Sequence, residues 1–310
     1  MKGIIRMKQP NLFGNDLFNE PIKPPSRGVV SDNFIFPPFT ILDAKQGAWQ
    51  DRKRAWINMG IKGEVGRDGS SIHCPTLATT QEPLKDANYV SIFDPVLTEL
   101  MYEWFCPESG QIVDPFAGGS VRGIVAASVG RNYWGCDLRD EQIEANELQA
   151  EHIGVKPKWI CGDAFEKLDT APDADFVFSC PPYGDLEKYS DLPADLSQMD
   201  WIDFCEAYRN IIKKAVDKLK NDRFACFVVG DFRDKTGFYR GFVHETVYDF
   251  EIAGARLYNE AVLATSVGSA CMRVTKQFKA GRKMAKTHQN ILVFCKGDWR
   301  KAAKAIGGVR

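Results

Sequence analysis

From about residue 91 onward, short apolar runs alternate with longer amphipathic stretches. Ile112-Val-Asp114, Asn132-Tyr-Trp-Gly-Cys136, Lys158-Trp-Ile-Cys161 and Asp175-Phe-Val-Phe178 each stop at a glycine, aspartate or proline, the pattern of buried strands bounded by turns. Between them, Val121 to Val129 reads as a helix with small residues facing its neighbours, and Leu97, Leu100, Met101 and Trp104 fall at helical spacing. Further on, Trp201 to Leu219 is an amphipathic helix, Arg223 to Val229 a strand ending at Gly230-Asp231, and Phe238 to Phe250 another helix. Leu257 to Thr265 and Asn290 to Cys295 read as a closing strand pair, the last strand antiparallel. Strands alternating with helices predict an α/β fold, a mostly parallel sheet with helices on both faces.

The remainder divides by pattern. Residues 1–30 are rich in Pro, Asn and Lys without periodicity and are expected as a flexible tail. Residues 31–85 form an extension, 86–298 the core, and 299–310 a C-terminal tail. In the extension, Trp49 and Trp56 fall on one face of a helix, with Arg52 and Lys53 able to point outward. Those cations could grip phosphates, or the helix could simply pack by its tryptophans. Gly60 to Ser71 is a glycine-rich loop that follows no strand and precedes no helix, so it is not read as a phosphate loop.

The strand ends carry the chemistry. Asp114 leads through Pro115 and Phe116 into Gly118-Gly119-Ser120 and then a helix, which turns backbone N–H groups toward a ligand. Asp137, roughly 20 positions after that turn, stands where a ribose diol is gripped in dinucleotide-binding sheets. Gly162-Asp163-Ala164-Phe165 offers a polar and apolar pair suited to an adenine ring. Ser179-Cys180-Pro181-Pro182-Tyr183 closes the next strand. Its prolines donate no backbone hydrogen bond and stiffen the chain, so carbonyls and one aromatic face are presented to a flat, amine-bearing ring.

These paired motifs resemble those of the S-adenosylmethionine-dependent DNA methyltransferases that act on adenine N6 or cytosine N4, with their D-P-F-x-G-x-G and [DNS]-P-P-[YF] loops. The phage-encoded DNA methylase branch is similar also in Phe36-Pro-Pro-Phe39, Trp49 to Trp56, Ser179 to Tyr189 and His288 to Phe294, so that the likeness spans residues 33–298. The resemblance implies a Rossmann-like methyltransferase fold and S-adenosylmethionine held by Phe93, Asp94, Asp114, Pro115, Phe116, Gly118, Gly119, Asp137, Leu138, Asp163 and Ala164. It implies catalysis by Cys180, Pro181, Pro182 and Tyr183, by in-line transfer to the amine of a flipped base.

Two positions depart from the family. Ser120 replaces a loop glycine, and Cys180 stands where the family has Asp, Asn or Ser. A thiol is a weak acceptor, which shifts the orienting work to the Pro181 carbonyl, since Ser179 points to the other face of its strand. A cysteine here also admits pyrimidine C5 methylation with Cys180 as nucleophile. Methylation of RNA and a catalytically silent DNA-binding role stay open too.

Composition narrows the setting. The 310 residues carry a net charge of −1, and the nine cysteines include no C-x-x-C pair beside only four histidines. That argues against a disulfide framework and a metal site and for a reducing, cytoplasmic setting. Nucleic-acid contact must then come from local patches. From Ala261 to Gly297 there is no acid, while Arg273, Lys276, Lys279, Arg282, Lys283 and Lys286 lie in the arm 266–287, expected to be flexible and to meet DNA phosphates. Gln9, Leu12 and Phe13 resemble the peptide by which bacterial proteins dock on the replication sliding clamp.

Overall fold

A computed structural model describes residues 34–62, 93–184, 190–265 and 270–307, with the backbone alone for 270–273. The clamp-like residues Gln9, Leu12 and Phe13, most of the glycine-rich loop, residues 185–189 after the Pro-Pro-Tyr motif, and the side chain of Arg273 lie outside them.

The strands are β1 (Ile41–Asp43), β2 (Gln111–Asp114), β3 (Asn132–Asp137), β4 (Lys158–Cys161), β5 (Ala174–Ser179), β6 (Leu219–Val229), β7 (Arg256–Ala264) and β8 (His288–Lys296). They form one sheet in the order β1-β7-β8-β6-β5-β2-β3-β4. β8 runs antiparallel to β6 and β7, whereas the other pairings are parallel. The anticipated closing pair is therefore present, and the extension adds β1 to the sheet edge.

The helices are α1 (Gly47–Asn58), α2 (Pro95–Phe105), α3 (Val121–Ser128), α4 (Asp140–Ile153), α5 (Ala164–Lys167), α6 (Trp201–Lys218), α7 (Phe242–Ile252), α8 (Ala270–Gly281) and α9 (Trp299–Ile306). Local chemistry sets their ends. Asp94 caps α2 by accepting from Val96 N and Leu97 N, with Pro95 at the first helical position. Asp200 caps α6 in the same way, and Gly154 at φ +85° ends α4.

Strand alternation divides the core. Phe176 and Phe178 of β5, with Phe224, Cys226 and Val228 of β6, pack beside α2 and α3 residues such as Leu97, Leu100 and Ile124. Val177, Ala225, Phe227 and Val229 face the other way, against Phe204, Tyr208 and Ile212 of α6 and Phe250 of α7. The small face of α3 also has a definite role: a Cβ on Gly123 would come within 2.5 Å of the Trp159 ring.

Three expectations are corrected. Residues 299–306 are not a tail but a helix, capped by Asp298 and burying Ala302. The basic arm is helical over Ala270–Gly281, so lysine-rich sequence there is ordered along one exposed rod. The helix expected from Phe238 starts at Phe242, because residues 232–240 close into a turn instead. No helix among the described residues is long and apolar enough to cross a membrane.

Candidate active site

The strand order reverses between β2 and β5: β3 and β4 continue on one side, β6 on the other. Such a switch point leaves a crevice at the carboxyl ends of the strands. A cavity of about 490 Å³ opens there, within the usual size of small-molecule sites. Its lining brings together nearly all the residues expected to bind cofactor and target: Phe93, Asp94, Pro115, Phe116, Gly118, Gly119, Asp137, Leu138, Asp163, Ala164 and Cys180 to Tyr183.

Asp114 is the exception. Its carboxylate is fully buried and absent from the cavity wall, and it serves as the hub beneath the glycine loop. Arg122 Nε donates to Oδ2 at 2.6 Å, Tyr133 OH donates to Oδ2 at 2.7 Å, Ser179 Oγ donates to Oδ1 at 2.5 Å, and Phe116 N donates to Oδ1 at 3.2 Å. Arg122 also donates to the carbonyls of Phe116 and Ala117. Burial works against the Arg122 charge, yet Asp114 holds its pKa above the usual arginine value. Burial and the same carboxylate push the Tyr133 hydroxyl well above the usual range, so it remains a donor.

Above the hub, Gly118 takes φ +52°, a left-handed conformation that favours glycine. Asp137 Oδ2 accepts from Gly118 N at 3.0 Å, so the acid at the end of β3 borders the cavity and fixes the loop at once. Asp163 caps α5 through Phe165 N at 2.8 Å. Asp94 accepts from the Trp49 indole at 3.2 Å and Lys53 Nζ at 3.1 Å, and the Arg122 guanidinium lies 4.7 Å from the Phe93 ring centroid.

Ser120, at the position of a glycine in the resembled loop motif, is explained by direction. Ser120 is buried away from the cavity and donates to Gln149 Oε1 at 3.0 Å, which also accepts from Lys62 N at 2.8 Å. At the end of β5, Ser179 is fully buried with its hydroxyl proton committed to Asp114, on the opposite face from Cys180. Cys180 is half-buried and packs against the core beside Phe178. Tyr183 accepts from Gln289 Nε2 at 3.1 Å and meets Phe232 and Phe242 edge-on.

The order of the parallel strands, the antiparallel β8 and the placement of both loops at the switch point decide the class. The fold is the Rossmann-like fold of the S-adenosylmethionine-dependent methyltransferases. The residues present fit that cofactor: a glycine loop fixed by Asp137, Asp94 and Asp163 also on the lining, and a cavity of the right scale.

No family model matches the sequence of this methyltransferase-fold chain. Over 92 residues it is 30% identical to a tRNA (guanine(10)-N2)-dimethyltransferase of Pyrococcus abyssi, a match covering 29% of this chain and 27% of the relative. Among solved structures it is similar to TrmN of Thermus thermophilus, with 15% identity, a TM-score of 0.45, and coverage of 66% of this chain and 49% of that one. It is also similar to magnesium protoporphyrin IX methyltransferase of Synechocystis PCC 6803, solved with bound S-adenosylmethionine, at 11% identity, a TM-score of 0.38, and coverage of 62% and 71%.

The residues expected to contact DNA divide. Lys276, Lys279, Arg282 and Lys283 are exposed on or just beyond α8, as a phosphate-facing arm requires. Lys286 turns into the cavity, half-buried beside Gly230 and Tyr183. Burial lowers its pKa against the pull of Asp231. Arg52 and Lys53 do not form an outward patch. Arg52 pairs with the buried Glu99, Lys53 pairs with Asp94 at 3.1 Å and borders the cavity, and Trp49 and Trp56 are buried. Tryptophan packing prevails, with the cations answering acids of α2 and its cap. Sequence reading missed the roles of Arg122, Tyr133 and Gln289, whose partners are set only by the fold.

Proposed function

We propose that the chain transfers a methyl group from S-adenosylmethionine to an exocyclic amino group of a nucleic-acid base. The observation that carries this reading is the sharing of one cavity by the Gly118-Gly119 loop and the Cys180-Pro181-Pro182-Tyr183 loop. When bound, the cofactor supplies an electrophilic sulfonium methyl group. Asp137, Leu138, Asp163 and Ala164 would hold its adenosine part, with Phe93, Asp94 and the glycine loop toward its amino-acid part.

The catalytic loop handles the acceptor. Tyr183, fixed by Gln289 and two phenylalanine edges, offers a face to a base that has left its stack, because an exocyclic amine is out of reach inside a duplex. The Pro181 carbonyl accepts an amine N–H and turns the nitrogen lone pair out of the ring plane. Most of the rate then comes from holding two reactants in line.

DNA, through adenine N6 or cytosine N4, is the acceptor that the motifs imply. RNA is the second reading, supported by the relative from Pyrococcus abyssi, whose printed activity is also methylation of an exocyclic base amine. The test is transfer of labelled methyl groups to duplex DNA, single-stranded DNA and total RNA, followed by mass spectrometry of the nucleosides. Label on N6 of adenine or N4 of cytosine in DNA supports the first reading, and label on an exocyclic amine in RNA supports the second. Label on carbon 5 of a pyrimidine, or no label with the cofactor bound, overturns amine transfer.

A further inference from the structure

The segment joining β6 to α7 forms a rigid finger at the cavity's edge. Arg233 and Tyr239 pair across it as an antiparallel bridge, with Asp234 N donating to Phe238 O and Arg240 N to Phe232 O, both at 2.9 Å. Inside the turn, Asp234 Oδ1 accepts from Thr236 N, Thr236 Oγ1, Gly237 N and Phe238 N. Its carboxyl is held below the usual aspartate range by the Thr236 hydroxyl and these amides. Yet this braced turn leaves Phe238 74% exposed and Tyr239 49% exposed.

The base of the finger belongs to the active site. Phe232 lines the cavity and packs against Tyr183 with ring centroids 6.4 Å apart. Phe238 faces Asp234 across the turn, two residues further out than Phe232, a separation of roughly 7 Å at the rise of extended backbone. That is about two steps of a stacked nucleic-acid strand. Cations lie on its neighbours: Arg233 lies 4.0 Å from the Tyr239 ring centroid, Lys235 is exposed beside the tip, and Lys283 of the basic arm reaches Gly237. Next to Lys283, Met284 is 74% exposed. A single exposed apolar side chain is ordinary. A braced, exposed aromatic with cations on its flanking residues, on a turn whose base lines the cavity, has the composition of a single-strand stacking platform.

We infer that the finger 232–240 binds the nucleotide strand flanking the target base, with Phe238 as the ring on which a neighbouring base stacks. The inference rests on the nucleic-acid reading of the pocket. It assigns Phe238 to strand binding, with no contact to the cofactor.

The test measures binding of the full-length protein to fluorescein-labelled single-stranded DNA and RNA oligonucleotides by anisotropy, alongside calorimetric S-adenosylmethionine binding, for wild type, Phe238→Ala and Phe238→Trp. Phe238→Ala should weaken strand binding on the order of 10-fold or more, the size of one lost base–aromatic stack. Phe238→Trp should stay within about two-fold because it restores a stacking face. Cofactor affinity should be unchanged in both. Tight strand binding by Phe238→Ala, equal to wild type, would overturn the finger's role while leaving the pocket's function standing. A parallel loss of cofactor and strand binding would overturn it as well. Failure of wild type to bind either oligonucleotide while binding cofactor would remove the nucleic-acid reading together with the inference.

Discussion

Asp114→Ala separates a structural hub from a cofactor ligand. The resemblance places this aspartate among residues that hold S-adenosylmethionine, whereas the fold surrounds it with Arg122, Tyr133, Ser179 and Phe116 N. Removing the carboxylate leaves the Arg122 guanidinium, 5% exposed, without its counter-charge. Breaking one partner of a buried ion pair costs about 3–5 kcal/mol. The carbonyls of Phe116 and Ala117 still accept from Arg122, so the lower part of that range is expected. A loss of about 3 kcal/mol is a large share of the roughly 5–15 kcal/mol that keeps a domain folded, and over a chain of this length it should lower the melting temperature by about 5 °C. Ser179→Ala removes one charge-assisted donor and should cost about 1.5–3 kcal/mol. Asp137→Asn should instead weaken cofactor binding more than stability, since Asp137 borders the cavity. The assay is urea denaturation combined with calorimetric S-adenosylmethionine binding. Asp114→Ala with near-wild-type stability and abolished cofactor binding would refute the hub.

Three further outcomes follow from single sites. Burial pushes Asp249 up to about 6 from its ordinary 3.8, although Arg209 Nε donates to it at 2.7 Å. A carboxyl raised in the folded state stabilises the fold at low pH and loses that advantage as pH climbs from about 4 to about 6, about 3 kcal/mol in all. The stability difference between wild type and Asp249→Asn, followed by denaturation between pH 4 and 7, should fall by that order, and a flat difference would contradict it. Gly123→Ala gains about 1 kcal/mol of helix propensity but drives a methyl into Trp159, at about 1–3 kcal/mol; a melting temperature above wild type would show that Trp159 yields freely. Cys180→Ala should keep methyl transfer within about 10-fold if the Pro181 carbonyl orients the amine, whereas loss of all transfer in a correctly folded variant would contradict that and make the thiol itself necessary for transfer.

The strand ends were legible because each has a local signature: a short apolar run that stops at Asp, Gly or Pro. That suffices to place Gly118, Asp137, Asp163 and Pro181 around one crevice once the sheet is parallel. The direction of a side chain at such an end was not legible. Asp114 and Asp137 look alike in sequence, each an acid closing an apolar strand. Asp114 is turned inward by Arg122, Tyr133 and Ser179, the last 65 positions away. Arg52 and Lys53 likewise looked like an outward basic patch because their partners, Glu99 and Asp94, lie 47 and 41 positions further on. The finger's turn was legible in principle, since Asp234, Thr236 and Gly237 are turn residues, but the apolar Phe238 and Tyr239 after them were absorbed into the helical pattern of α7. Its signal is an aromatic pair immediately following a turn rather than within a periodic face.

The two departures from the motifs that the chain resembles have a common physical logic. Ser120 points away from the cavity and spends its hydroxyl on Gln149, which also holds the chain at Lys62. The lost glycine thus ties the extension and α4 to the loop without narrowing the cofactor space. Cys180 does line the cavity, yet it packs against the core beside Phe178, as a small apolar side chain does. The rigid element at this site is the Pro181-Pro182 backbone, anchored upstream by Ser179 on Asp114 and downstream by Tyr183 on Gln289. A carbonyl held at both ends keeps its aim whatever side chain precedes it. On the proposed reading, a weak acceptor at Cys180 is tolerable because the two prolines and the tyrosine that follow are held independently of it.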